Sequence, residues 1–161
     1  MSNQDSNLEL HTIRLHGPWV AKVLVSFGDS ISADDQQRRV KIPSDWNDWL
    51  GADFCGRVEY RRNFNRPTGL DPGQPVWIVL ECVDSYGEVY LNDKNLGSLS
   101  LGESNLGESS PSDFLRVQVD QLLERSNVLR VEIEVNADSD RGDRVGLAGG
   151  LIGNVRIEIQ Q

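Results

Sequence analysis

Trp46, Trp49 and Tyr86 offer flat faces, and Asp84, Asn92, Arg61 and Arg62 offer planar hydrogen-bonding groups. Aromatic faces beside fixed polar groups, set in a shallow groove, are what holds a sugar ring and its hydroxyls. Each residue also has a structural use. Trp46 and Trp49 can pin a short turn onto a sheet, Arg62 can partner a carboxylate, and Asn92 can form a turn. Asp84-Ser85 closes a rigid apolar strand, which makes it either a ligand corner or simply a strand end.

Other chemistries find little support. Glycoside hydrolysis ordinarily needs two carboxyl groups flanking the scissile bond. Asp and Glu number 25, yet none stands in a recognisable acid–nucleophile arrangement. Cys55 and Cys82 lie far in sequence from His11 and His16, so a metal site built on them is not expected. The two thiols are expected to be reduced. Asp138-Ser139-Asp140-Arg141-Gly142-Asp143 misplaces the glycine of a calcium loop and lacks its final Glu, so it reads as a solvated acidic loop. No helix follows Gly146–Gly153, which excludes a phosphate cradle; close backbone packing accounts better for those glycines. No cofactor is implied.

The elements that would position these residues are short strands. Val76–Val83 is apolar on both alternating faces except at Glu81, as in a central strand covered on both sides. Asp84-Ser85-Tyr86-Gly87 then reads as the turn of a hairpin whose second strand is Glu88–Asn92. Upstream, Ile13 and Leu15, then Val20, Val23 and Val25, alternate around Gly17-Pro18-Trp19, where proline forces a bend or a sheet edge. Arg39–Ile42 is a short strand stopped by Pro43. Ser44 or Asp45 can cap one helical turn bringing Trp46, Trp49 and Leu50 to one side. Arg57–Phe64 sets Val58, Tyr60, Arg62 and Phe64 on one face, where an unpaired arginine would be costly, so Arg62 should meet a carboxylate or lie at the rim. Lys94–Leu99, Phe114–Val119, Val128–Val135 and Val155–Ile159 complete an antiparallel all-β pattern, a sandwich or jelly roll. Residues 1–9 read as a flexible N-terminus and 10–161 as a single domain.

The order of residues resembles a known family. Trp46 after Pro43; Gly51-Ala52-Asp53-Phe54-Cys55-Gly56; Val58-Glu59-Tyr60-Arg61-Arg62-Asn63-Phe64; Val83-Asp84-Ser85; Val89-Tyr90-Leu91-Asn92; Leu96-Gly97; Asn127-Val128-Leu129; Gly149-Gly150-Leu151; and Val155 follow one another as they do in the sugar-binding domain of glycoside hydrolase family 2. That domain is the galactose-binding-like jelly roll preceding the catalytic barrel in β-galactosidases and β-glucuronidases. The resemblance implies eight to ten strands and a carbohydrate ligand. It also implies a polar residue at Asp84 reaching toward the active site of a neighbouring barrel. In the family a segment matching Gly149–Val155 often ends Arg-Asp-Val, whose Asp helps hold an ion. Here Gly153-Asn154 stands instead, a poorer cation ligand, so no metal is carried over. A catalytic barrel needs about 250 residues and has no room in this chain, so no intrinsic catalysis is expected. The alternative is an interaction module without sugar affinity, docking on a separate hydrolase or on itself.

The net charge of −9 opposes non-specific binding to nucleic acid or anionic membranes. The start of the chain, MSNQDSNLEL, lacks the basic and apolar regions of a secretory signal, which reads as cytoplasmic.

Overall fold

The computed structural model describes residues 9–26, 37–43, 45–50, 54, 56–81, 83, 86–100, 114–135, 150, 151 and 153–161. Cys55, Cys82, Asp84, Ser85, the acidic loop at 138–143 and most of the glycine-rich segment lie outside the described residues.

A proline marks the first place where the chain changes sheet. Strand β1 (Leu10–Arg14) ends before Pro18, which has no N–H for a ladder, and β2 (Trp19–Ser26) begins beyond it in the other sheet. The strands that follow are β3 (Gln37–Val40), β4 (Gly56–Asn65), β5 (Val76–Leu80), β6 (Tyr86–Leu91), β7 (Lys94–Ser100), β8 (Leu115–Gln118), β9 (Ser126–Val135) and β10 (Val155–Gln160). One helical turn, α1 (Asn47–Leu50), interrupts them. They form a four-stranded sheet, order β1-β10-β5-β8, and a six-stranded sheet, order β3-β2-β4-β9-β6-β7. All their pairings are antiparallel. This is the all-β sandwich expected from the strand pattern and from the resemblance.

Alternation explains the core. In β9 Leu129, Val131, Ile133 and Val135 are buried while the residues between them face outward, as expected for a strand with one solvated side. Val58, Tyr60 and Phe64 of β4 and Val155, Ile157 and Ile159 of β10 are buried in the same cluster. Full burial of each large apolar side chain is worth about 1.5–3 kcal/mol.

Three expectations need correcting. Residues 76–92 do not form a hairpin: β5 lies in the four-stranded sheet and β6 in the six-stranded one. The short link through 84 and 85 is thus a crossing from sheet to sheet, and the tight hairpin is β6–β7. In β2 the buried side chains are Trp19, Ala21 and Val23, because a bulge between Val23 and Val25 leaves Val25 exposed. Strand β5 stops at Leu80, and its outer face is covered by charged side chains rather than by another apolar layer. There Arg116 lies 4.0 Å over the Trp77 ring, and Val79 is flanked by Arg156 and Arg116 in register.

Among the described residues, no helix is long and apolar enough to cross a membrane. No group of three or more His, Cys, Asp or Glu among them is placed to hold a metal ion.

Candidate functional site

The structure distributes the residues singled out from sequence over separate places. Trp46 is wholly buried and packs edge-on against Phe54, ring centroids 5.2 Å apart. Its carbonyl accepts hydrogen bonds from the N–H groups of Trp49 and Leu50, which closes α1 as the residue spacing predicts. Its ring therefore offers no face to a ligand. Trp49 is half-buried, with the Arg38 guanidinium 5.9 Å from its ring centre, beside a shallow basic concavity that also takes in Arg39 and Lys41.

Arg62 meets a carbonyl, not a carboxylate. Its Nη1 donates to the Pro18 oxygen at 3.3 Å, and no ion-pair partner stands beside it among the described residues. Tyr86 is exposed on the outer face of the six-stranded sheet. Its hydroxyl and that of Tyr90 donate to the two oxygens of Glu88, at 3.0 and 2.5 Å, and hold that carboxyl below its ordinary pKa.

Asn92 lies at the opposite end of β6 from Tyr86, about 20 Å away along the strand. Asn92 and Asp93 both adopt positive φ, 50° and 67°, forming the tight hairpin turn that the sequence allows. The Asn92 side chain is fully engaged. Its Oδ1 accepts from the Val128 N–H at 2.9 Å, and its Nδ2 donates to Asn127 Oδ1 at 2.9 Å. Asn127, buried, accepts a second bond from the Glu124 N–H and donates to the Glu124 carbonyl. These amides tie strand ends together.

The Asp84 corner leads to a different group of residues. Glu81, whose charge interrupts the apolar run, directly follows β5. Its N–H donates to the Asn154 carbonyl at 3.0 Å. Asn154 Nδ2 donates to Glu81 Oε2 at 3.1 Å, and Arg156 Nη1 donates to Oε1. The Asn154 amide first, and the Arg156 guanidinium with it, keep the Glu81 carboxyl below its ordinary pKa. Arg156 Nε also donates to Glu158 at 2.9 Å, and Arg116 Nε donates to the other Glu158 oxygen at 3.0 Å. Burial raises the Glu158 pKa, but these charged hydrogen bonds outweigh it and hold the group low. Thr12, Arg14, Glu81, Asn154 and Arg156 line an open cavity of about 590 Å³ on the outer face of the four-stranded sheet.

The buried aromatics hold this site in place. Gly150 has φ +90°, and a Cβ there would come within 2.3 Å of the Tyr60 hydroxyl and 3.1 Å of the Trp46 ring. Only glycine lets the segment leading to Asn154 lie that close. Gly150 thus serves close packing, as read from sequence, while Gly146 and Gly149 lie outside the described residues; burial pushes the Tyr60 phenol well above its usual pKa.

No protein-family model matches the sequence, and no curated protein matches it. Solved structures do. An FMN-binding β-glucuronidase from Faecalibacterium prausnitzii L2-6 superposes with a TM-score of 0.69 at 18% identity, over 94% of this chain and 23% of its own. A Bifidobacterium dentium β-glucuronidase complexed with coumarin-3-O-glucuronide gives 0.67 at 17% identity, over 98% of this chain and 31% of its own. A family 2 β-galacturonidase from Eisenbergiella tayi gives 0.64 at 15% identity, over 92% and 24%. The chain has the β-sandwich fold that these enzymes carry over a quarter to a third of their length.

Proposed function

We propose that this chain is a non-catalytic, carbohydrate-binding-type sandwich of the kind found in family 2 glycoside hydrolases. The observation that carries the reading is the meeting of two segments far apart in sequence. The strand end before Asp84 and the segment that carries Gly153-Asn154 in place of Arg-Asp are joined through Glu81, at the mouth of an open polar cavity. The fold likeness, spanning nearly all of this chain but only a fraction of each enzyme, supports a domain rather than a whole hydrolase. The role is to present planar amide, carboxylate and guanidinium groups to sugar hydroxyls beside a reaction performed elsewhere.

Calorimetric titration with methyl β-galactoside, methyl β-glucuronide and short oligosaccharides tests this. At least one should bind at millimolar concentration, while chromogenic glycosides stay intact over the same interval. Absence of heat with the whole panel, or hydrolysis by purified protein, contradicts it.

A second reading is favoured by the shares of length. A fold that forms about a quarter of a longer chain in these enzymes has neighbours to pack on, so the module docks on a hydrolase barrel or on itself. A purely monomeric sedimentation profile, unchanged by a family 2 hydrolase barrel, counts against it.

A further inference from the structure

The cavity on the four-stranded sheet contains a charge arrangement that the fold does not require. In the β1–β10 ladder Arg14 stands directly opposite Arg156. Like charges at facing positions, with Cβ atoms about 5 Å apart, repel unless an anion lies between or beside them. Arg156 has its anions, Glu81 and Glu158. Arg14 has none among the described residues. Glu81 is engaged instead by Arg156 at one carboxylate oxygen and by Asn154 at the other. Among the described lining residues, two guanidiniums stand against one carboxylate, within a chain of net charge −9.

The remaining groups suit a hydroxylated ligand. The Thr12 hydroxyl, also without a partner among the described residues, lines the same cavity as Arg14. The Asn154 nitrogen donates to Glu81, which turns the amide oxygen away from that carboxylate and leaves it to accept a hydroxyl proton. A cation, a hydroxyl and an amide acceptor around one cavity match a carboxylate with neighbouring hydroxyls.

We infer that this pocket takes an acidic sugar, with the uronate carboxylate on Arg14 and the ring hydroxyls on Thr12 and Asn154. The inference rests on the carbohydrate-binding reading and narrows its ligand class. Where that reading alone leaves neutral and acidic sugars equal, Arg14, unpaired among the described residues, separates them.

The test is amide-resolved NMR titration of the full chain with methyl β-glucuronide and methyl β-galacturonide, each against its neutral glucoside or galactoside, and with acetate. The uronides should bind about tenfold tighter than their neutral counterparts at low salt. They should shift amides at Thr12, Arg14, Glu81, Asn154 and Arg156, and the preference should shrink as salt rises. Arg14→Gln, at an exposed position whose loss leaves the core intact, should abolish the preference, and Arg14→Lys should restore part of it. Equal binding of neutral and acidic sugars, or a preference that survives Arg14→Gln, overturns the inference and leaves the sugar-binding reading standing. Acetate binding as tightly as the uronides overturns it too, since the pocket would then be a simple anion site. No binding of any glycoside removes both.

Discussion

The two ends of the sandwich use similar residues to opposite effect. At the hairpin end, Asn92 and Asn127 join β6, β9 and the 122–124 turn through amides whose hydrogen bonds are made within the protein. At the crossing end, Asn154, Glu81 and Arg156 make a comparable net, but it opens into a cavity and stands beside an arginine with no partner among the described residues. A buried network that satisfies its own members stabilises a fold. A half-exposed one that leaves a cation over has capacity for a ligand. Residue type does not tell the two apart; saturation does.

Breaking the saturated end should cost the most stability and spare binding. Asn127→Ala leaves the Asn92 amide and the Glu124 N–H without their acceptor in a buried place, and urea unfolding should show a loss of about 3 kcal/mol. Glycoside affinity of the folded protein should not change. Gly150→Ala should cost about 2 kcal/mol, since the new methyl meets the Tyr60 hydroxyl and the Trp46 ring at positive φ. Unlike Asn127→Ala it should also weaken binding, because the segment it displaces carries Asn154. Equal effects on binding from both variants would erase the distinction between the ends.

Acid should loosen the four-stranded sheet's outer face. The folded-state pKa values of Glu158 and Glu81 lie below those of the unfolded chain. Their stabilisation is therefore fully present above about pH 4.5 and is lost as pH falls through the folded values. Glu158→Gln should cost about 1–2 kcal/mol at pH 7, measured by urea unfolding, and should flatten the acid limb of the stability curve. The smallest stability effect is expected from Glu81→Gln, at most about 1 kcal/mol at this half-exposed site. It should nonetheless change ligand affinity, because the pocket loses a carboxylate from its lining.

The sandwich itself was legible because one buried face per strand imposes a period of two, and β9, β4 and β10 keep it closely. The crossing from β5 to β6 was not. Strands separated by a few turn-forming residues usually pair, and Asp84-Ser85-Tyr86-Gly87 has hairpin chemistry whether or not the chain changes sheet. Trp46, Trp49 and Leu50 were correctly placed on one side of a helical turn, but which tryptophan keeps an open edge depends on Phe54 and Gly150 packing against Trp46. Glu81 was visible as the one charge in an apolar run. Its partners were not, since Asn154 and Arg156 come from the far end of the chain and only the β5–β10 ladder brings them beside it. Asn92 suited both a turn and a ligand by residue type; its bonds to Val128 and Asn127 mark its structural use.

A map of amide shifts across both ends, recorded while the panel of methyl glycosides is titrated into the intact chain, tests the central claim most directly. Perturbations should gather at Thr12, Arg14, Glu81, Asn154 and Arg156, with Asn92, Leu122, Glu124 and Asn127 unmoved. Shifts centred on the Asn92–Asn127 end, or none anywhere at millimolar glycoside, would contradict it.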